Sequence, residues 1–178
     1  MDNTSPFTSD ILACLDYLGK AYVYKTFSEV TDADVNQCDK VILSGRRKYS
    51  KQINLINSRL IRYCHYYGKS LLGICYGAEI IALTLGGSIC KMPEYVHGLA
   101  VVSLSRPNHL IQEKKFMTVY ESHGYCVAKL PPNFKSLARS KYCDHEIFAN
   151  NSKMYGVQFH PEKSGSDGLA LFKNFSGL

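Results

Sequence analysis

Apolar and polar positions follow two different periods along this chain, and the switches between them lay out its elements. Ile11, Leu12, Leu15 and Leu18 fall on one side of a helix predicted over 9–18, which Gly19 stops. A stronger three- and four-residue repeat of Ile53, Ile56, Leu60, Cys64 and Tyr67 predicts a helix over 51–67, closed by Gly68. Short extended runs are predicted at 21–24, 40–43 and 70–74. The last leads straight into Cys75, and an apolar helix over 78–85 then ends at Gly86-Gly87. Downstream the chain is β-rich, with strands predicted at 96–104, 116–121, 125–129 and 154–159 and a turn at Leu130-Pro131-Pro132-Asn133. A helix over 166–175, apolar at Leu169, Leu171, Phe172 and Phe175, closes the pattern. Helices alternating with strands predict an α/β fold on a mostly parallel sheet. Such a fold ordinarily opens on a strand. Here a largely polar lead-in runs directly into the first helix, so the opening strand is missing or its place is filled by another segment or chain.

Composition narrows the class. With 178 residues, 46% of them hydrophobic and 20% charged, the expectation is one globular domain over 1–178. No apolar run approaches the roughly 20 residues that span a bilayer, and the N-terminal residues lack the basic and apolar regions of a signal peptide. A cytoplasmic protein is expected. The seven cysteines are odd in number and none forms a C-x-x-C pair, which argues against a disulfide framework or a zinc ribbon. Most read as small buried hydrophobes. His65, His97, His109 and His145 show no ligand-like spacing, so neither a metal nor any other cofactor is expected. The net charge of +6 includes a dense cluster, Arg46, Arg47, Lys48 and Lys51. No nucleic-acid motif accompanies it, and a docking surface or solvated loop is the simpler reading. Tyr63, Tyr66 and Tyr67 read as packing on the long helix.

Chemistry concentrates in two segments. A strand followed at once by Gly73-Ile74-Cys75-Tyr76-Gly77 and a helix describes a nucleophile elbow: a sharp turn exposes the apex side chain, and flanking glycines avoid clashes in the bend. The helix N-terminus and its free N–H groups would lower the pKa of the Cys75 thiol, and the Tyr76 N–H would lie where an oxyanion forms. Set against this, the same segment describes a buried Cys in a tight turn. His160, which follows Cys75 by 85 positions, supplies a general base at a strand end, and Glu162 a carboxylate that fixes the imidazole tautomer.

GICYGAE and GVQFHPE, in this order and spacing, resemble the G-x-C-x-G-x-Q and F-H-P-E motifs of the class I glutamine amidotransferases. The resemblance extends from Asp2-Asn3 through Tyr17-Leu18-Gly19 and Ile42-Leu43-Ser44-Gly45 to Asn174-Phe175. It implies a three-layer α/β fold with an open, mostly parallel sheet and an additional β-rich segment. It also implies a glutaminase in which Cys75 attacks the glutamine carboxamide to form a γ-glutamyl thioester, aided by His160 and Glu162. Ammonia would pass to a synthetase partner. Tyr120-Glu121-Ser122-His123, Leu130-Pro131, Leu137-Ala138-Arg139-Ser140 and Cys143 resemble the separate amidotransferase subunit of archaeal-type GMP synthetase. In that family the pair matching Ser122 and His123 lies near the synthetase interface. FHPEKSG followed by GLALFKNF is instead similar to the glutaminase subunit of imidazole glycerol phosphate synthase. Gly45, Arg46, Tyr76, Glu79, Ser122 and His123 complete the expected oxyanion and substrate-binding set.

Three departures weigh against direct transfer. Glu79 stands where the family has a substrate-binding Gln, and its charge would oppose a thiolate. Arg46 replaces the second Gly of an S-G-G-P loop, where a left-handed φ would strain it. The opening strand is absent. The alternatives are a weakened amidotransferase-like module that binds or regulates a partner, and a γ-glutamyl hydrolase using the same nucleophile.

Overall fold

In the computed structural model, which describes residues 1–105, 108–111, 114–150 and 153–178, the chain opens with α1 (Thr8–Tyr17) and α2 (Asp32–Gln37). There follow β1 (Lys40–Leu43), α3 (Lys51–Tyr67), β2 (Ser70–Ile74) and α4 (Tyr76–Thr84). The remainder comprises β3 (Ser88–Leu104), β4 (Phe116–Lys129), β5 (Lys135–Arg139), β6 (Ile147–Asn150), β7 (Met154–Val157), a 3₁₀ turn at Pro161–Lys163 and α5 (Gly165–Gly177). The bounds of β1, α3 and β2 coincide with those predicted. Helix α3 shows why: the Ile53 N–H donates to Ser50 Oγ at its start, and Gly68 at φ 63° turns its N–H back onto the Cys64 carbonyl.

The seven strands form one mixed sheet in the order β1-β2-β7-β6-β5-β3-β4. The β1, β2 and β7 strands are parallel; the rest pair antiparallel, so the β-rich segment extends the same sheet. Alternation along β2 feeds two apolar layers. Leu71 packs with Ile53, Leu60, Ile61, Ile80 and Ile81 of α3 and α4, whereas Leu72 and Ile74 pack with Ile11 and Leu15 of α1 and Leu171, Phe172 and Phe175 of α5.

Four differences from the sequence expectations have local causes. Residues 21–24 form no strand; all four are exposed and lack ladder partners. The two runs at 116–121 and 125–129 are one strand, because β3 pairs with both across a bulge between Lys91 and Val96. Helix α2 buries only Val35 and rests on a capping box of Thr31 and Asp34, too short a pattern for periodicity to register. Strands β5 and β6 are likewise short. In place of an opening strand, residues 1–3 lie between β1 and residues 25–27. The Met1 amino group donates to the Ile42 carbonyl at 2.7 Å and the Ser44 N–H to the Met1 carbonyl at 3.2 Å. On the other side, the Asp2 N–H donates to the Lys25 carbonyl at 2.8 Å and the Phe27 N–H to the Asp2 carbonyl at 2.9 Å. Among the described residues no helix is long and apolar enough to cross a membrane.

Candidate active site

Cys75 sits between β2 and α4 at φ 50°, ψ −107°. A non-glycine residue there stores about 1–3 kcal/mol of strain, which its surroundings must hold. They do so through the backbone: the Cys75 N–H donates to the Val157 carbonyl at 2.8 Å, and its carbonyl accepts from the Ala78 and Glu79 N–H groups at 2.9 and 3.0 Å. Packing then demands both flanking glycines. A Cβ on Gly73 would lie 2.4 Å from the Gly77 backbone, and one on Gly77 2.5 Å from the Leu43 carbonyl oxygen. The elbow is therefore pressed against the end of β1.

Strand β7 pairs with β2, Gly156 opposite Gly73 and Val157 opposite Ile74, so the chain leaving β7 returns to the elbow. It carries His160, whose N–H donates to the Tyr120 carbonyl at 2.8 Å and whose Nδ1 lies 2.8 Å from Glu162 Oε1. Both side chains are buried. Gly45, just after β1, lies against both: a Cβ there would be 3.1 Å from His160 Cε1 and 3.8 Å from Cys75 Cβ. The Phe7 ring meets the imidazole edge-on, with centroids 4.8 Å apart. From β4, the Ser122 carbonyl receives the Cys75 thiol at 3.9 Å, while Ser122 Oγ bonds the Tyr95 hydroxyl at 2.8 Å.

Arg46 and His123 are placed differently from the rest. Arg46 has no left-handed φ; among the described non-glycine residues only Thr4, Cys75 and Asn133 do, so the expected strain is absent. Its guanidinium lies 3.9 Å from the Tyr76 ring centroid and donates to Asn54 Oδ1 at 2.7 Å, an oxygen that also accepts from the Tyr76 hydroxyl. His123 is buried, with Nδ1 on the Tyr125 carbonyl at 2.8 Å and Nε2 on Glu121 Oε2 at 3.0 Å. Burial pulls its pKa down, but the hydrogen bond and charge of Glu121 outweigh that and the net shift is upward.

Electrostatics overturn the expected low-pKa thiol. Burial drives the Cys75 pKa well above its ordinary value; Glu79, Glu162 and Glu121 add to this, and only the Tyr76 N–H opposes it. The helix terminus loses because desolvation and three carboxylates act on the same sulfur. Glu79 is itself buried, accepting from Gln158 Nε2 at 3.3 Å, and burial raises its pKa.

The sequence motifs assign no role to Glu121, Glu146 or Gln158. Glu121 and Glu146 are fully buried, and among the described residues no donor reaches Glu121 Oε1 or Glu146 Oε2. Through its other oxygen, Oε1, Glu146 accepts from Ser140 Oγ at 2.6 Å. Burial, then the Glu121 charge, raises the Glu146 pKa to about 8. The folded protein thus keeps a proton that the unfolded chain releases near pH 4.5. Stability should decline as pH rises from there to about 8, by up to ~1.4 kcal/mol per pH unit. Denaturant titrations across that window should show the slope in the parent and a flatter one in Glu146→Gln.

Residues 1–176 match the family model of glutamine amidotransferase class-I. The chain belongs to that family. Membership makes this amidotransferase an enzyme of the glutaminase class. It is 30% identical to a glutamine-hydrolyzing GMP synthase subunit of Thermococcus kodakarensis, over 100% of this chain and 96% of that one. It is 40% identical over 61% of its length to the glutamine-hydrolyzing GMP synthase of Lactobacillus gasseri, of which it spans only 22%. A Thermoplasma acidophilum protein described as a GMP synthase subunit superposes with a TM-score of 0.89 at 27% identity, over 99% of this chain and 90% of that one.

Proposed function

We propose that residues 1–178 act as one glutaminase domain, using Cys75, His160 and Glu162 and delivering ammonia to a synthetase partner of the GMP-synthase type. The observation that carries this reading is the convergence of the strained Cys75 and the Glu162-bonded His160 on Gly45. With its Nδ1–H donated to Glu162, His160 keeps Nε2 as a proton acceptor. The resting thiol is protonated, so its proton passes to His160 as the sulfur attacks. The sulfur attacks the carboxamide carbon, and the Tyr76 N–H, already directed at the sulfur, faces the developing oxyanion with the Arg46 N–H as a second donor. His160 returns the proton to the departing ammonia, then activates the water that cleaves the thioester to glutamate. Ser122 and His123 would position β4 at the partner's side of the site.

The test is glutamate and ammonia release from glutamine, with and without a GMP-synthase-type synthetase. Release accelerated by the synthetase is expected; none under either condition would sink the proposal. Preferential cleavage of γ-glutamyl amines would instead identify a γ-glutamyl hydrolase, and acceleration only by an imidazole glycerol phosphate synthase cyclase would change the partner.

Glu79 favours a second reading, a site weakened by its own carboxylate. Because its pKa is raised, Glu79 gains charge only as pH climbs, and its opposition to the thiolate grows with it. Glu79→Gln should therefore speed iodoacetamide labelling of Cys75 by about tenfold, with the ratio to the parent widening at alkaline pH. A gain in glutaminase rate alongside would mark the parent site as damaged. Equal labelling at every pH would show that Glu79 places no charge on the sulfur.

A further inference from the structure

Three of the seven cysteines gather where the β3–β4 ribbon meets the connection between β5 and β6. Cys90 on β3 and Cys126 on β4 are directly opposite in the antiparallel register, and their sulfurs are 3.3 Å apart. Directly paired residues in such a ribbon have Cα atoms about 4.5–5.5 Å apart, inside the span a disulfide bridges. Closing the bond needs roughly 1.3 Å of further approach, within reach of small side-chain rotations. Accessibility differs across the pair: Cys90 is exposed and Cys126 is buried, with Cys143 buried behind it in the same small cluster as Met92 and Val96. A reagent in solution meets Cys90 first.

From this geometry we infer that Cys90 and Cys126 form a thiol modification site, closed to an intrachain disulfide by a low-molecular-weight disulfide such as glutathione disulfide. The Cys90 thiolate attacks one sulfur of the reagent, breaking its S–S bond and releasing one glutathione. Cys126 gives its proton to water and attacks the Cys90 sulfur, expelling the second glutathione. Two protein thiols are oxidised and one glutathione disulfide is reduced to two thiols, so the exchange balances.

The bond has a structural consequence. It would close the ribbon at the base of the bulge between Lys91 and Val96, and that bulge carries Tyr95. Tyr95 bonds the Ser122 hydroxyl, and the Ser122 carbonyl receives the Cys75 thiol. Oxidation would therefore staple the strands beside the site while leaving Cys75 free. The inference does not depend on glutaminase activity.

The test incubates the full chain with glutathione disulfide, alkylates the remaining thiols and maps peptides by mass spectrometry. Expected is the loss of two free thiols, a Cys90–Cys126 cross-linked peptide, its disappearance on reduction, and a rise in Tm of roughly 5–10 °C in the oxidised form. Cys90→Ser should form no internal bond. A glutathione adduct persisting on Cys90, a bond between Cys126 and Cys143 that survives Cys90→Ser, seven thiols still free, or a lowered Tm would each overturn the assignment.

Discussion

Cys75→Ala is expected to fold normally and to lose at least about 10⁴-fold in glutamine hydrolysis, measured as glutamate release at saturating substrate. The size of the loss follows from the role proposed for the sulfur. With no nucleophile there is no thioester, and the remaining Tyr76 N–H and His160 have no intermediate to act on. The folded state should tolerate the change, because the strained backbone at φ 50° is held by the Val157, Ala78 and Glu79 hydrogen bonds rather than by the thiol. The thiol's own contact is a long bond to the Ser122 carbonyl. The measurement therefore pairs the rate with Tm. An unchanged rate would remove Cys75 from the chemistry. A collapsed Tm would assign it a structural role, and His160→Gln, whose rate should fall steeply, would then carry the test.

Gly168→Ala is expected to disrupt the site from a residue that never touches it. A Cβ on Gly168 would come 1.8 Å from the Pro161 carbonyl oxygen and 2.6 Å from its carbon. Both atoms are backbone, so no side chain can swing away; α5 or the 3₁₀ turn must move. That turn contains Glu162 and directly follows His160, and Ser164, at the head of α5, donates to the His160 carbonyl at 2.6 Å and accepts the Tyr120 N–H. Overpacking of this kind costs about 1–3 kcal/mol or more. A shift of about 1 Å in a catalytic pair can cost ~10²-fold in rate. Chemical denaturation and steady-state kinetics should show both effects, with kcat falling more than KM rises. A variant as stable and active as the parent would mean that α5 does not fix His160 and Glu162.

Legibility varied with the length of the pattern that encoded each feature. Helix α3 repeats its apolar stripe over 17 residues and carries a cap at each end, so its bounds follow from the sequence. Strands β1 and β2 are short but flanked by clear stops. By contrast, α2 depends on one buried Val35 and a side-chain cap, and β6 draws its stability from pairing with β5 and β7, partners that only the folded chain supplies. The N-terminal segment is the sharpest case. Nothing in residues 1–3 reads as a strand, yet Asn3 is buried, donating to the Ser44 carbonyl and accepting from Asn57 Nδ2 at 2.7 Å. Those bonds hold the Ser44-Gly45 loop against the site.

The same division runs through the chemistry. Sequence alone determined which residue types were available: a cysteine at a glycine-flanked turn, a histidine at a strand end, and a glutamate two positions on, because each motif is local. Tertiary structure decided the electrostatics in which they act. Cys75 is held as a thiol, the Glu146 pKa is raised, and Arg46 turns toward Tyr76, since burial and through-space charge depend on neighbours that are far apart in the chain.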